Sequence, residues 1–432
     1  MNDMSRRILP PQATGPEEPQ RLRHRPGPFG VLDIGSTKIV CLIGRVENDG
    51  SLRVLGFGWH RGKGVRGGGI VDLDEAEKAI RAAVGQAEDM ADTRLRGVTL
   101  NLTCGHPESR LFNVQWPVGG RAVEESDIRR VVAEGRLRAE VDGREIIHAL
   151  PLAFAADETE RVADPRGLFC TTLAARLHII DAASTALRTL GACVARCDLD
   201  IDELVSAPMA SGLAALVEDE RELGCIVIDM GGGTTGMAVF AEGQLLHTAQ
   251  LPVGGGHVTN DLARLLSTPV AHAERLKTLY GNVASCPDDE RELLPVPLVG
   301  EEEHQIAKVP RSMVVNIIRP RIEETFEMVR ARLDSSGLSR AAGNRVVLTG
   351  GACQLAGVRE LAARMLGKQV RLGRPAALRG LPDAAAGPAF ATAAGLLGWA
   401  AGHGRTMTDI DLDPAPPAGF IRRIVNFLKD RV

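Results

Sequence analysis

Aromatic side chains are scarce in this sequence of 432 residues, and basic residues are not in excess over acidic ones. Phe, Trp and Tyr make up 3% of it, with a single tyrosine at Tyr280, and 51 basic residues stand against 55 acidic ones. Stacking on bases requires aromatic rings, and binding to a phosphate backbone requires a basic surface. We therefore expect no nucleic-acid partner.

Cysteine and histidine patterns typical of disulfides or metals are also absent. Eight cysteines do not make a disulfide framework in a chain of this length. Cys193 and Cys197 lie four apart without a second pair at zinc-ligand spacing, and the ten histidines form no HExxH pattern. Reduced thiols favour the cytoplasm. The remaining composition, 44% hydrophobic and 25% charged, is that of an ordinary globular chain of two or three domains.

No long apolar run indicates a signal peptide or a membrane span. Residues 1–28 contain six prolines and five arginines but no apolar core, which predicts a disordered arm. The weakly polar run Ala384–Ala401 is mostly alanine and glycine and includes Pro388, so a buried helix ending near Gly402 is the better interpretation. Any membrane attachment must then be peripheral.

Two glycine-rich turns follow apolar strands in the same way. The strand Val31–Leu32 leads into Asp33–Lys38 and a β-branched run, and the strand Cys225–Ile228 leads into Asp229–Thr235 and a further strand. This pattern predicts two tight hairpins in a duplicated fold. A third buried strand ends at Gly350-Gly351, and the alternation of strands with helices such as Val358–Leu366 indicates an α/β architecture.

The composition of these turns suits phosphate binding. Successive backbone N–H groups in a turn bind anions, and glycine lets the backbone approach phosphate oxygens. Hydroxyl groups and one lysine add donors, and the two aspartates are placed to hold Mg²⁺ directly or through water. The candidate residues are Asp33, Gly35, Ser36, Thr37, Lys38, Asp229, Gly231, Gly232, Gly233, Thr234, Thr235, Gly350 and Gly351. The simpler alternative is that each turn is only a hairpin. Neither a P-loop motif nor a helix-opening Rossmann motif is present.

These elements resemble the actin/Hsp70/sugar-kinase superfamily. The similar segments are the first phosphate hairpin, the second one and the adenosine loop, at Leu32–Ile39, Val227–Phe240 and Leu348–Ala352. The resemblance implies ATP with Mg²⁺ bound between two halves. It also implies that Glu274 and Lys277, an E-x-x-K pair on the predicted helix Pro269–Tyr280, bind the ribose hydroxyls. A surface ion pair is the alternative.

Within the superfamily the chain resembles the FtsA family of bacterial cell-division proteins from about residue 29 to its end. The segments that carry this resemblance are Ile147–Pro151, Asp164–Leu168, Leu177–Ile180 and Glu218–Gly224. The family has a small inserted domain, called 1C, which we place here as an α+β unit whose helix is capped by Ser126. The resemblance implies head-to-tail polymers, later division proteins as partners, and binding of the FtsZ C-terminal tail to the outer subdomain of the second half. Asp200, Asp202 and Glu203 match no diagnostic motif for hydrolysis, so slow turnover or none is expected.

The expected fold is therefore an actin-like, duplicated two-half α/β fold with an inserted domain and a C-terminal amphipathic helix. Its predicted parts are a disordered arm (1–28), the first half or 1A (29–102 and 179–212), the inserted 1C or SHS2-type domain (103–178), the second half or 2A/2B (213–402, with 2B at about 251–330), an acidic, proline-rich linker (403–418) and the amphipathic helix (419–432).

The last segment, residues 419–432, has the residue pattern of an amphipathic helix. On a helix, its apolar residues fall on one face, and its basic residues lie on or near the other. The residues concerned are Phe420, Ile421, Arg422, Arg423, Ile424, Val425, Phe427, Leu428 and Lys429. Such a helix suits the surface of anionic lipid. The prediction is peripheral attachment to the cytoplasmic face of the inner membrane at the division septum. A final helix docked on the body is the alternative.

Two other functional classes stay open at this point. A small-molecule kinase would need a catalytic carboxylate and a substrate pocket, and it leaves the C-terminal helix unexplained. A pilus-assembly ATP-binding scaffold shares the inserted domain but normally lacks the linker and terminal helix. The segment Ala418–Val432 is the feature that discriminates these alternatives from a division-ring anchor.

Overall fold

The first half is built on a hairpin whose strands are almost wholly buried. The structure, a computed structural model, describes residues 27–300 and 306–402. Asp72 is the N-cap of the first helix, as predicted, and its carboxylate accepts from the backbone N–H of Asp74 and Glu75. The elements are β1 (Phe29–Ile34), β2 (Lys38–Val46), β3 (Leu52–Arg61), β4 (Val65–Arg66), β5 (Gly69–Ile70), α1 (Leu73–Ala91) and β6 (Gly97–Leu102).

The insertion is a four-stranded antiparallel sheet covered by one helix. Its elements are β7 (Glu108–Ala122), α2 (Glu125–Arg138), β8 (Arg144–Ala156), β9 (Thr159–Val162) and β10 (Phe169–Ala183), in the sheet order β7-β10-β8-β9. It has its own apolar core, which includes Ile128, Val131 and Leu173. The predicted cap was wrong: Glu124 is the N-cap of α2, its N–H donates to Asp127, and Ser126 lies within the first turn.

The chain then completes the first sheet and forms the second half. Next come α3 (Ser184–Ala195), β11 (Asp200–Ser206), α4 (Ala207–Ala215), α5 (Glu218–Leu223), β12 (Cys225–Met230), β13 (Thr235–Ala241), β14 (Gln244–Leu251), α6 (Gly255–Leu265), α7 (Val270–Tyr280), β15 (Leu293–Pro297), β16 (Ile306–Pro310), α8 (Arg311–Ser335), β17 (Arg345–Thr349), α9 (Val358–Leu366), β18 (Gln369–Leu372) and α10 (Ala391–Ala400).

The two halves have the same sheet topology. The first sheet has the order β11-β6-β1-β2-β3 and the second β18-β17-β12-β13-β14. In each, an antiparallel meander of three strands is followed by two parallel strands. The predicted duplicated α/β fold is confirmed.

Helices α4 and α10 lie between the two sheets. Helix α10 packs on β1, β2 and β6. Helix α4 packs on β12, β13, β14 and β17 and also contacts β6 and β11, and the two helices pack on each other. The two helices cross closely at Gly395, where an added Cβ would fall well within 3.0 Å of the Ala210 carbonyl oxygen. Glycine has no Cβ and therefore allows this approach. The helix predicted over 384–401 is shorter than expected, since short 3-10 turns at Asp383–Ala385 and Pro388–Phe390 precede it.

Residues 1–26, 301–305 and 403–432 lie outside the described part of the chain, so the predicted arm, linker and amphipathic helix fall largely or wholly there. Among the helices that the structure describes, none is long and apolar enough to cross a membrane.

Candidate functional site

The two predicted hairpin turns close in the same way. Gly35 N donates to Lys38 O at 3.0 Å, and Gly231 N donates to Thr234 O at 2.9 Å. Each turn follows the inner strand of its sheet, β1 or β12. The duplication therefore places two equivalent glycine-rich turns at equivalent ends of two sheets.

The turns face each other across the cleft between the halves. A Cβ at Gly232 would fall far inside 3.0 Å of Thr37 Oγ1, and one at Gly233 would do the same with Ser36 Oγ. Real Cβ atoms do not approach so closely, so a side chain at either glycine would force the Thr37 or Ser36 hydroxyl group to move. The structure thus brings Ser36, Thr37, Gly232 and Gly233 together, as a phosphate-binding site shared by two hairpins requires.

Asp33 lies at the base of the first turn with its carboxylate almost fully buried, at 8% exposure. The pKa of Asp33 is raised to about 7, because burial outweighs the lowering effect of Lys38 and Asp229 adds a smaller rise. A buried carboxylate beside another carboxylate and a lysine offers oxygen ligands for a cation. A bound cation would also neutralise the negative charge of the two carboxylates. Both features suit a hard cation bound with phosphates.

Lys38 is the first residue of β2. Its Nζ donates to Ala389 O and lies 3.8 Å from the centre of the Phe390 ring. Burial lowers the pKa of Lys38, while Asp33 and Asp229 raise it. Lys38 therefore joins the first hairpin to the segment that leads into α10.

Asp229 occupies the matching position in β12 and has hydroxyl partners. Ser211 Oγ donates to Asp229 Oδ2, and Thr392 Oγ1 donates to the same oxygen at 3.0 Å. Burial raises the pKa of Asp229, and these two hydrogen bonds lower it. Sequence reasoning missed both hydroxyl groups, because they come from α4 and α10, which only the tertiary fold brings together.

A glycine run that the sequence analysis passed over supports the second turn. Gly255 N donates to Gly231 O at 2.9 Å, and Gly256 N donates to Gly232 O at 2.7 Å. The signal was visible, since Gly254–Gly256 repeats the three consecutive glycines of the turn itself. These contacts place the N-terminus of α6 at the cleft.

The E-x-x-K pair is partly buried against this glycine run. Lys277 Nζ donates to Glu274 Oε2 at 2.7 Å, to Thr259 Oγ1 at 2.9 Å and to Gly255 O at 3.1 Å. Burial raises the pKa of Glu274, but hydrogen bonds from Lys277 and Thr259 outweigh it and leave the pKa below its usual range. The lysine side chain is 17% exposed, against 73% for Lys78 in the equivalent surface pair with Glu75.

The remaining candidates have different surroundings. Gly350 has φ +84 and lies against Asp229, where a Cβ would meet the carboxylate, and Gly351 begins the 3-10 turn that follows. Thr234 is in the second turn, whereas Thr235 is fully buried and its hydroxyl donates to Val253 O at 2.7 Å. The candidates at 420–429 lie outside the described residues.

The carboxylates considered for hydrolysis lie elsewhere. Asp200, Asp202 and Glu203 are on β11, the edge strand that β6 separates from β1. Glu203 accepts a hydrogen bond from Trp399 Nε1 at 2.8 Å, which ties β11 to α10. A surface cavity of about 550 Å³ near the β2–β3 turn is also remote from the hairpins; it is lined by Glu47, Asn48, Asp49, Arg53, Arg379 and Gly380.

The donor set fits a nucleotide with a hard cation. Turn N–H groups, hydroxyls and one lysine suit phosphate oxygens. The buried Asp33 and the half-buried Asp229 suit Mg²⁺, which is usually held by one or two carboxylates together with phosphates. The crowding at Gly232 and Gly233 leaves room for backbone but for no larger side chain. The geometry is that of a two-lobed protein of the actin-like ATPase fold class.

Comparison with known proteins supports this class and narrows it. The family model for cell division protein FtsA matches residues 226–395, and the model for the SHS2 domain inserted in FtsA matches 104–181. The cell division protein FtsA of Rhizobium meliloti (strain 1021) is 45% identical over 378 residues, which cover 85% of this chain and 86% of that protein. That of Escherichia coli (strain K12) is 33% identical over 373 residues, covering 85% and 88%.

Solved structures share the fold at low identity. A PilM–PilN type IV pilus biogenesis complex is 18% identical with a TM-score of 0.62, covering 86% of this chain and 98% of that one. MreB 5 of Spiroplasma citri bound to AMPPNP is 12% identical with a TM-score of 0.52, covering 86% and 95%. These likenesses establish an actin-like fold.

The chain belongs to the FtsA family of cell-division proteins. It therefore has a cell-division role at the division site, among partners of the division complex.

Proposed function

We propose that this chain binds ATP and Mg²⁺ between its two halves, polymerises on the cytoplasmic face of the inner membrane and anchors the FtsZ ring there. The observation that carries the proposal is the meeting of two equivalent glycine-rich turns, at Thr37 and Gly232, over the buried Asp33 and the half-buried Asp229. If each turn were only a hairpin that joins two strands, it would have no reason to meet the equivalent turn of the other half.

The phosphates would lie beside the point where the two turns meet, against the N–H groups of both turns. Turn N–H groups, Ser36, Thr37 and Thr234 would donate to phosphate oxygens, and Lys38 would neutralise charge after leaving Ala389 O. Glu274 and Lys277 would bind the ribose, and Gly350-Gly351 would border the adenosine. Asp33 and Asp229 would hold Mg²⁺, which supplies charge neutralisation to the phosphates.

Attachment to the membrane would come from residues 419–432, which lie outside the described part of the chain. One amphipathic helix of this length binds anionic lipid weakly, and a polymer multiplies weak contacts through high effective concentration. Head-to-tail assembly would therefore control membrane binding. The inserted domain would contribute to the longitudinal contact and recruit later division proteins.

The FtsZ tail would bind the outer subdomain at about 251–330. Apolar side chains there are exposed, among them Val270, Leu279 and Leu293. Such side chains offer apolar area that a bound peptide would bury. Nucleotide turnover is expected to be slow or absent, because the carboxylates on β11 lie away from the turns.

The test is co-sedimentation with vesicles of anionic lipid in the presence of ATP and Mg²⁺. The full chain is compared with a chain ending at Pro417, and ATP binding is measured for both. The proposal predicts that the truncated protein binds ATP but no longer pellets. Equal pelleting of both proteins, or of neither, would contradict the anchor.

A further inference from the structure

The hydroxyl groups around Asp229 come from two different helices. Ser211 lies on α4, which packs mainly on the second sheet and also on β6 and β11 of the first, and Thr392 lies on α10, which packs on the first. Both donate to Asp229 Oδ2, and their own oxygens are 2.9 Å apart. The carboxylate of the second half is thus held by one group from each helix between the sheets.

The contact depends on the close crossing of the helices. Gly395 allows α10 to approach the backbone of α4 at Ala210, the residue before Ser211. Interfaces packed this tightly change by discrete shifts and not by gradual deformation. A change in the angle between the halves would therefore remove at least one hydroxyl group from Asp229.

Asp33 and Asp229 differ in the groups that surround their carboxylates. Lys38 is a charged neighbour of both aspartates, but Asp229 also accepts hydrogen bonds from two neutral donors on one oxygen. The paired donors fix the orientation of Asp229, and its other oxygen, Oδ1, lies toward Gly350.

We propose that Ser211 and Thr392 are positioning residues that orient Asp229 for metal-bound nucleotide and link that orientation to the α4–α10 crossing. This inference rests on the proposed function, because it concerns the same site. It adds a connection between the cleft and the helix crossing that lies between the two sheets. Binding of the metal–nucleotide complex would favour the helix crossing in which both hydroxyl groups reach Asp229.

The test measures the affinity for a fluorescent ATP analogue with saturating Mg²⁺ and with EDTA in full-length variants. Thr392→Val and Ser211→Ala each remove one hydroxyl group, and Thr392→Ser keeps it. Thr325→Val is the matched control, since Thr325 is a buried threonine whose hydroxyl donates to Arg321 O within α8. Hydrogen exchange of the unliganded proteins is measured in parallel at α4 and α10.

The quantity of interest is the ratio of the affinity with Mg²⁺ to the affinity in EDTA. We expect this ratio to be about tenfold or more lower in Thr392→Val and in Ser211→Ala than in wild type, as is typical for the loss of a hydrogen bond to a charged group. Affinity in EDTA should change little, exchange in α4 and α10 should rise, and Thr392→Ser and Thr325→Val should resemble wild type. An unchanged gain with Mg²⁺ in both hydroxyl-deleted variants, or equal damage from Thr392→Ser, would overturn the inference. A wild-type chain that binds no nucleotide would instead overturn the proposed function.

Discussion

Thr37 Oγ1 lies so close to the backbone of Gly232 that no side chain fits between the two turns. These residues belong to equivalent hairpins in different halves of a duplicated fold. Their proximity means that the turns form one cradle and not two separate loops. A ligand bound there would contact both halves at once, so its binding would favour closure of the cleft.

Asp33 should destabilise the unliganded protein at neutral pH. Burial raises its folded pKa to about 7, whereas an unfolded aspartate titrates near 3.8. Below 3.8 both states are protonated. Between 3.8 and 7 only the folded state keeps the proton, so stability falls as pH rises through this window and then levels off.

Asp33→Asn should therefore stabilise the unliganded protein, and by about 2 to 3 kcal/mol more at pH 8 than at pH 5. Urea unfolding at the two pH values measures this difference. The same variant should lose the gain in nucleotide affinity that Mg²⁺ provides. A stabilisation that is equal at both pH values would show that Asp33 does not titrate in this range.

The Glu274–Lys277 pair should discriminate ribose from deoxyribose. If the pair binds the ribose hydroxyls, wild type should prefer ATP to 2′-deoxy-ATP, and Glu274→Gln should reduce that preference several-fold, about the value of one hydrogen bond. Competition binding measures the ratio. Lys277→Met should act in the same direction. Lys78→Met is the control, because Lys78 pairs with Glu75 at the same spacing on an exposed surface. Equal ratios in all four proteins would favour a structural ion pair.

Ser109 should hold the inserted domain against the second half. Its Oγ lies 2.6 Å from His178 Nε2 and 3.1 Å from His247 Nδ1, and it accepts from Thr248 N at 3.1 Å. Ser109→Ala leaves buried polar groups without this partner, which costs about 1 to 3 kcal/mol. Denaturant unfolding measures the loss, and Ser335→Ala, a change on an exposed serine, serves as control.

The same junction should weaken in acid. Burial lowers the pKa of His178 and of His247 to about 4 each, below the unfolded value of 6.5. Their contribution to stability is complete above 6.5 and is lost as pH falls toward 4. Hydrogen exchange in β7 and β14 should therefore increase over this range. Protection that stays constant down to pH 4 would contradict the assignment.

Local sequence patterns predicted the helices and strands whose ends are marked by proline, glycine or the end of an apolar run. Pro269 precedes α7 and Gly281 follows it, as the sequence indicates. The buried strands before Asp33 and Asp229 were equally clear. The cap of α2 was not, because Asp127 accepts from the Glu124 N–H while it also pairs with Arg121, and Ser126 makes no such contact.

Contacts between distant segments could not be predicted from the sequence. Ser211 and Thr392 reach Asp229 only because α4 and α10 cross closely, and no spacing in the chain encodes that crossing. The start of α10 was also misplaced, since Pro388 falls in a short 3-10 turn before the helix. The candidate turns, by contrast, were apparent from an aspartate, glycine and small hydroxyl residues that follow an apolar strand.

The most direct test of the central claim is calorimetric titration of ATP with Mg²⁺ into the full-length protein and into Gly232→Val. The added side chain would meet Thr37, whereas the control Gly85→Val adds one where a Cβ meets nothing within 4 Å. We predict saturable binding to wild type and to the control, and a loss of about tenfold or more in Gly232→Val, because the turns can no longer meet. Absence of binding to wild type, or equal affinity in all three proteins, would contradict a nucleotide held between the hairpins.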